Sequence, residues 1–472
     1  MTPNTHASAP SWHLPKEIDP LVEWSWRHWA VGRGWNRSSK GVLLCPPHAS
    51  ESIPRVEYSP GRSVASSVSE ELFSGAETIR RAFIEDAGRG IVRVNVDPGL
   101  VWKQLVNLEG EAAAPTDSHE RTAWPGEGAS PGSTRFPLYD CLALVMEEAW
   151  RLSRGELGRQ HALPSWPGDK LMALTLTHDV DVIDGYPKWQ RLAKSMVVGI
   201  QNLIRGRVDM ATGEWVRAIQ WGVLGKDPFA TVPDVLEDDR RLGVNSTFFF
   251  LSAAQRGERR DCSYGLGEPY ARKCIRGVRD GGMEVGLHGS YRGFDNVKEL
   301  QDQRLRLEQV LERPVGTYRN HFLRFRPRTS FALLAEAGFR VDSTVGWSPG
   351  NGFRAGTCFP FVTWSSGKKE ASNLVEVPLI IMEGNLDPRE RFATGEDLLG
   401  KSCRFIDEVR RFGGVLNVVW HNDRWYHERW PGFVPAYVKL VDMMRPEAWF
   451  CTLRDVAAVW EKRFRETVTV KA

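Results

Sequence analysis

The sequence has no excess of either charge: 62 lysines and arginines face 59 aspartates and glutamates over 472 residues, a formal net charge of +3. The strongly basic footprint of a nucleic-acid-binding protein is therefore missing. Cysteines are few, seven in all, scattered at 45, 141, 262, 274, 358, 403 and 451 without a CxxC pair. That excludes a disulfide-built fold or a cysteine zinc site and suits reduced thiols. No apolar run reaches the length that spans a bilayer. The first twenty residues also lack the basic-then-apolar pattern of a secretory signal. These absences predict a cytoplasmic protein with no transmembrane segment and no nucleic-acid partner. What is present is ordinary globular composition, 42% hydrophobic and 26% charged, on a chain longer than one core usually organises. Tryptophan is abundant, at 19 residues, with clusters at Trp24/Trp26/Trp29 and Trp420/Trp425/Trp430. Flat aromatic rings stack on sugars, although packing in cores and interfaces is their commoner use.

Residues 1–155 read as a small α/β domain. GVLLC and GIVRVNV are strand-like, and PLYDCLALVMEEAWRLSR carries the apolar spacing of a closing helix. Near 111–134, Ala, Pro, Gly, Ser and Thr replace any apolar period, which predicts a flexible insertion. Residues 156–170 read as a linker. From 171 to 465 β-rich runs alternate with helical patterns: LMALTLT, VNSTFFFL, MEVGL, RVDSTVGW, LVEVPLII and VLNVVW are separated by segments such as TVPDVLEDDRRLG and EDLLGKSCRFIDEVRRFGG. Several of these helices stop at a glycine just before the next strand. Strand, helix, strand over 300 residues predicts a parallel sheet, open or closed into a barrel. The segment KWQRLAKSMVVGIQNLIRGR at 188–207 is basic and amphipathic and could rest on a membrane surface, although packing on the barrel is the more ordinary fate of such a helix.

Four of the five histidines beyond residue 171 fall at or just past strand-like runs: His178, His288, His321 and His421. In parallel α/β folds those strand ends converge on the face where ligands bind. In the extended run Thr177-His178-Asp179-Val180-Asp181, alternation places Asp179 and Asp181 on one side and His178 on the other. Two close carboxylates beside imidazoles can divide the labour, one binding a metal and one accepting a proton from water. Two histidines, one carboxylate and an open position recur in metal-assisted hydrolysis. Glu376 and Glu383 flank a predicted strand end and could line the same pocket, though isolated acids are more often solvated. GNGFRAG at 350–356 reads as a pocket rim, since it lacks the context of a nucleotide-binding loop.

Five motifs in order over about residues 171–465 resemble the polysaccharide deacetylases, the NodB-like carbohydrate esterases of family 4. THDVD (177–181) resembles their first motif, which implies Asp179 as base and Asp181 as metal ligand. GLHGSY (286–291) resembles the second, with His288 as ligand. Tyr318-Arg319-Asn320-His321 resembles the third, with Arg319 orienting the catalytic acid. VDSTVGW resembles the fourth and places Asp342 and Trp347 by the pocket. VVWHND resembles the fifth, with His421 as general acid; Trp420 and Trp425 beside it become substrate-stacking candidates. The DST, GFRAGT and VEVP runs are similar to a divergent THDVD-type branch with an N-terminal α/β extension.

The second motif departs from the family pattern: Arg292 stands four residues after His288, where a second histidine is usual. His321, on the next β/α loop, could take its place. The resemblance implies an α/β fold with an incomplete or distorted (β/α) barrel behind the smaller α/β domain. It also implies a metal-dependent hydrolase that removes an N-acyl group, acetyl by default, from a saccharide or glycan precursor. Water bound to the metal would be the nucleophile and zinc the default cation. Asp342 or Asp423 would hold His421 protonated. Two alternatives remain open: hydrolysis of another non-peptide C–N bond, and an inactive domain that binds carbohydrate or serves as a scaffold.

Overall fold

The computed structural model describes residues 137–153 and most of 166–468, together with short strands and single residues before 124. Near the N-terminus lie β1 (Trp12–His13), β2 (Val42–Cys45), β3 (Arg55–Tyr58), β4 (Ile84–Gly88) and β5 (Ile91–Val94). They form a sheet of order β1-β2-β3-β5-β4, parallel except where β4 meets β5. The expected helix, α1 (Leu138–Ser153), packs on it. Its buried Asp140 accepts hydrogen bonds from Thr357 Oγ1 (2.7 Å) and the Cys358 amide (2.8 Å), which ties this region to the rest of the chain.

The larger sheet contains β6 (Met172–Val180), β7 (Ser246–Leu251), β8 (Glu284–Gly289), β9 (Thr317–Asn320), β10 (Val341–Asp342), β11 (Phe361–Ser365), β12 (Glu370–Glu376), β13 (Ile381–Met382), β14 (Val415–Val419) and β15 (Ala448–Phe450). Its order is β11-β12-β10-β9-β8-β7-β6-β14-β13, with β15 also on β6. Of these pairs only β11 with β12 is antiparallel. The edge strands β11 and β13 do not pair, so the curled sheet is the distorted, incomplete (β/α) barrel that the sequence led us to expect. β6, β7, β8 and β14 are buried along their whole lengths, as parallel strands covered on both faces must be.

The helices are α2 (Lys188–Ile204), α3 (Val208–Leu224), α4 (Val232–Leu242), α5 (Pro269–Asp280), α6 (Val297–Leu311), α7 (Ser330–Glu336), α8 (Cys403–Phe412), α9 (Phe433–Met444) and α10 (Leu453–Val468). In α8 the buried residues Phe405, Ile406, Val409 and Phe412 recur at helical spacing. α4 and α8 each end at a glycine in the left-handed region, Gly243 (φ 65°) and Gly413 (φ 68°), which turns the chain directly into the next strand.

Two expected strands are shorter than their apolar runs. RVDSTVGW is strand only at Val341–Asp342, because the Asp342 carboxylate accepts from the Thr344 amide (3.1 Å) and bends the chain into a side-chain turn. LVEVPLII divides between β12 and β13 at Pro378, which has no N–H for the ladder. In the expected insertion, residues 114–123 form a turn-built loop closed by a Thr116–Thr122 bridge. Residues 124–134 of that insertion and 156–165 of the expected linker lie outside the described residues. The linker's last stretch is anchored: Trp166 is buried and donates from Nε1 to the Gly413 carbonyl (2.8 Å).

Candidate active site

Asp179 and Asp181 lie at the end of β6, His288 lies in β8, Arg319 in β9, His321 directly after β9, and His421 two residues past the end of β14. The parallel register brings these positions to one end of the sheet, with Leu251 opposite His288 and His288 opposite Arg319. Alternation along β6 works as expected. Asp179 and Asp181 face the imidazoles of His288 and His421, while His178 is fully buried on the other side against Asp239 (3.2 Å).

Asp181, His288 and His321 form a cluster whose potential ligand atoms all lie within 4.8 Å of one another. His288 Nε2 is 3.4 Å and His321 Nε2 3.7 Å from Asp181 Oδ1. The far nitrogen of each ring is engaged. His288 Nδ1 donates to the Arg319 carbonyl (3.0 Å), and His321 Nδ1 lies 3.3 Å from the buried carboxylate of Asp261. In the neutral rings, protons held at Nδ1 leave both Nε2 lone pairs aimed at Asp181 Oδ1, which has no hydrogen-bond donor. Converging lone pairs of this kind call for a cation, so the donor set fits a divalent metal with a position to spare. The cluster is strongly electronegative, a potential that a cation answers when bound and a proton on His288 answers when none is. Burial opposes charge on His288, but Asp179 and Asp181 outweigh it and raise its pKa. Burial likewise pushes Asp181 up, yet His321 and His288 hold its carboxyl far below the usual range. Arg292 is exposed and takes no part in the cluster, whose third member is His321.

Asp179 is positioned by Arg319, whose side chain is fully buried. Arg319 Nη1 donates to Asp179 Oδ1 (2.8 Å) and Thr177 Oγ1 (2.7 Å). Its Nε and Nη2 are bound by the Ser343 carbonyl (3.0 Å) and hydroxyl (2.9 Å), and the Phe249 ring lies 4.5 Å from its Cζ. The other Asp179 oxygen, Oδ2, faces His288 Nε2 at 3.7 Å and His421 Nε2 at 4.0 Å. Burial alone would raise the Asp179 pKa, but Arg319, His288 and His421 keep it lowered, so the carboxylate is ionised.

His421 is held at Nδ1 by Glu383 (2.7 and 3.0 Å), a fully buried acid that also binds Arg424 Nε (2.9 Å). This corrects the expectation that Asp342 or Asp423 would do so: Asp423 pairs with Arg424, and Asp342 turns back onto Thr344. Burial lowers the His421 pKa, but Glu383 and the two aspartates raise it to about 10, which keeps the ring protonated at neutral pH.

Asp342 is buried beside Glu376 on the neighbouring strand. Burial raises the pKa of both carboxyls, and for Glu376 the charge of Asp342 adds to it. A proton shared between Asp342 Oδ2 and Glu376 Oε2 satisfies two atoms that otherwise have no hydrogen-bond partner among the described residues. The pair lies next to Ser343, which binds Arg319, and Asp342 does not join the candidate cation cluster. The tryptophans are also corrected. Trp347, Trp420 and Trp425 are 5%, 2% and 3% exposed. Trp420 and Trp425 pack edge-on against Tyr437, and Arg354 covers Trp347 at 5.2 Å, so none offers a free face to a sugar.

The sequence reading missed Asp261 and the contribution of residues 114–123. His119 stacks on Phe322 (4.7 Å between centroids), and Arg121 donates to the Phe322 carbonyl (3.0 Å). The loop thereby walls the site next to His321. Loop composition gave no signal for this, whereas Glu383 had been noticeable as an acid at a strand end.

An incomplete (β/α) barrel bearing a candidate divalent-cation cluster, a clamped carboxylate and a protonated histidine is the class of protein this fold and site define. Several solved structures are similar to the chain. One, described as a polysaccharide deacetylase from Mycobacterium smegmatis, is 20% identical, covering 64% of this chain and 93% of that one with a TM-score of 0.42. Another, described as a polysaccharide deacetylase from Pseudomonas aeruginosa PAO1, is 16% identical, covering 65% and 96% with a TM-score of 0.43. A third, the allantoinase PuuE, is 16% identical, covering 65% and 95% with a TM-score of 0.43. No family model and no curated protein matches the chain.

Proposed function

We propose that this protein is a metal-dependent hydrolase that removes an N-acyl group, acetyl in the simplest case, from a saccharide. The observation that carries the reading is the placement of Asp179 Oδ2 and His421 Nε2, 4.0 Å apart, beside the Asp181/His288/His321 cluster. Those three residues would hold the cation, and imidazole with carboxylate suits zinc. When bound, a divalent cation lowers the pKa of water and polarises a carbonyl. Asp179, with Oδ1 fixed by Arg319, takes the proton of the attacking water at Oδ2. His421, kept protonated by Glu383, delivers a proton from Nε2 to the departing amine nitrogen. The saccharide half of the proposal rests on the five-motif resemblance.

The test is elemental analysis of the wild type beside His288→Ala and His321→Ala, followed by an assay of acetate release from N-acetylated sugars. About one metal per chain, lost in both variants and accompanied by acetate release in the wild type, is the expected result. A wild type that stays metal-free after reconstitution overturns the proposal and favours a binding or scaffold role.

A further inference from the structure

The helices α2 and α3 form a hairpin inserted between β6 and α4, leaving the sheet from the strand end that carries Asp179 and Asp181. They pack mainly on each other. Gly199 lies directly under the Trp215 indole, and Asn202, Ala211 and Ala218 are buried in the seam. Apart from Trp215, many of the hairpin's large apolar residues are left exposed. On α2, Leu192, Met196, Ile200 and Leu203 follow one another at helical spacing and are 42–48% exposed, while Val197 and Ile204 beside them are 52% and 80% exposed. Val216 and Ile219 continue the apolar surface on α3, at 51% and 61%. Most of the large hydrophobic side chains exposed among the described residues lie on this hairpin.

Charge distinguishes between occupants for this face. Over 188–224 the sequence sets Lys188, Arg191, Lys194, Arg205, Arg207 and Arg217 against only Asp209 and Glu214. A second copy of the hairpin would bring like charge against like charge, whereas an anionic lipid surface offers both apolar depth and opposite charge. Neither helix is long and apolar enough to cross a bilayer, so the geometry is that of a hairpin lying in the interface plane. We propose that α2 and α3 dock the protein on an anionic lipid surface. The docking stands independently of the reaction proposed for the site.

The experiment is co-sedimentation of the full chain with vesicles of phosphatidylcholine alone and of phosphatidylcholine mixed with phosphatidylglycerol. Binding to the mixed vesicles, weakened by added salt and small for the neutral ones, is expected. Val197→Glu/Ile204→Glu, whose wild-type side chains are exposed and outside the helix seam, should lower that binding roughly tenfold or more while leaving circular dichroism and metal content unchanged. No binding to mixed vesicles, equal binding to both kinds, or full retention by the double variant would overturn the proposal. So would a wild-type dimer in light scattering that the double variant converts to monomer without any vesicle binding, which would assign the face to a second copy.

Discussion

Replacing Glu383 with glutamine tests the acid half of the site without changing its shape. The carboxylate lies 2.7 Å from His421 Nδ1 in a fully buried position, and it leads the attractions that lift the His421 pKa to about 10 against burial. With delocalised charge centres about 4 Å apart, a unit charge pair is worth about 4 kcal/mol at an effective dielectric of about 20, and each pKa unit is about 1.4 kcal/mol. Glutamine keeps an acceptor for Nδ1–H but removes the charge, and Arg424 then stands beside the ring with less to balance it. The His421 pKa should therefore fall by about 2 to 3 units, to roughly 7 to 8. A general acid works only while protonated, so activity is lost as pH rises through its pKa. The basic limb of kcat/KM should move down by the same amount, making Glu383→Gln close to wild type near pH 6 and about thirtyfold slower near pH 9. Steady-state rates across pH, with the His421 ring titrated by NMR, measure both quantities. A basic limb that stays in the wild-type position, on an enzyme that retains its metal, would refute the assignment of His421 as the acid held by Glu383.

Asp179→Asn should lower kcat by about 10²- to 10⁴-fold with metal stoichiometry unchanged; loss of the metal in elemental analysis would instead make Asp179 a ligand. Asp261→Asn weakens the acceptor that orients His321 (3.3 Å) and should reduce metal affinity by about 10- to 100-fold in competition with a chelating indicator, whereas unchanged affinity would remove Asp261 from the site. Asp342 and Glu376 have pKa values raised by burial, so their contribution to stability is complete below the unfolded carboxyl pKa and is lost as pH rises through the folded values. Glu376→Gln fixes the neutral form, and thermal unfolding should show a smaller fall in Tm between about pH 4 and 7 than in the wild type; an equal fall would place the charge elsewhere.

The cluster was legible because strand ends in a parallel sheet converge and alternate residues on a strand share a side. Those two rules suffice to bring Asp179, Asp181, His288, His321 and His421 together. The partners of these residues were less legible. Asp261 lies outside the strands, and Glu383 begins a short 3₁₀ turn after β13, so their aim is set by loop conformation rather than by any sequence period. Asp342 illustrates the opposite error: an acid in a motif that resembles a pocket motif spends its carboxylate on a local turn and a buried acid pair. The tryptophan count conveyed hydrophobic mass but no exposure, and the rings near the site are in the core. The basic segment 188–207, read as a helix that could rest on a membrane surface or, more ordinarily, pack on the barrel, pairs mainly with α3, a helix that had not been anticipated.

His321 is tied closely to the loop at 114–123. A histidine on the helical turn after β8 would have been carried by that turn, but His321 follows the short strand β9 and is succeeded by Phe322 in the left-handed region, at φ 61° and ψ 12°. A bulky residue there costs on the order of 1 kcal/mol or more and persists only when its surroundings enforce it. The enforcement comes from residues 114–123: His119 stacks on the Phe322 ring, Arg121 binds its carbonyl, and Arg324 returns a hydrogen bond to the His119 carbonyl (2.9 Å). The loop that looked featureless in the sequence therefore fixes the backbone immediately beside the third candidate ligand. In this chain the barrel supplies the candidate acid, the candidate base and all three members of the cluster, and the loop at 114–123 contributes to the geometry beside His321.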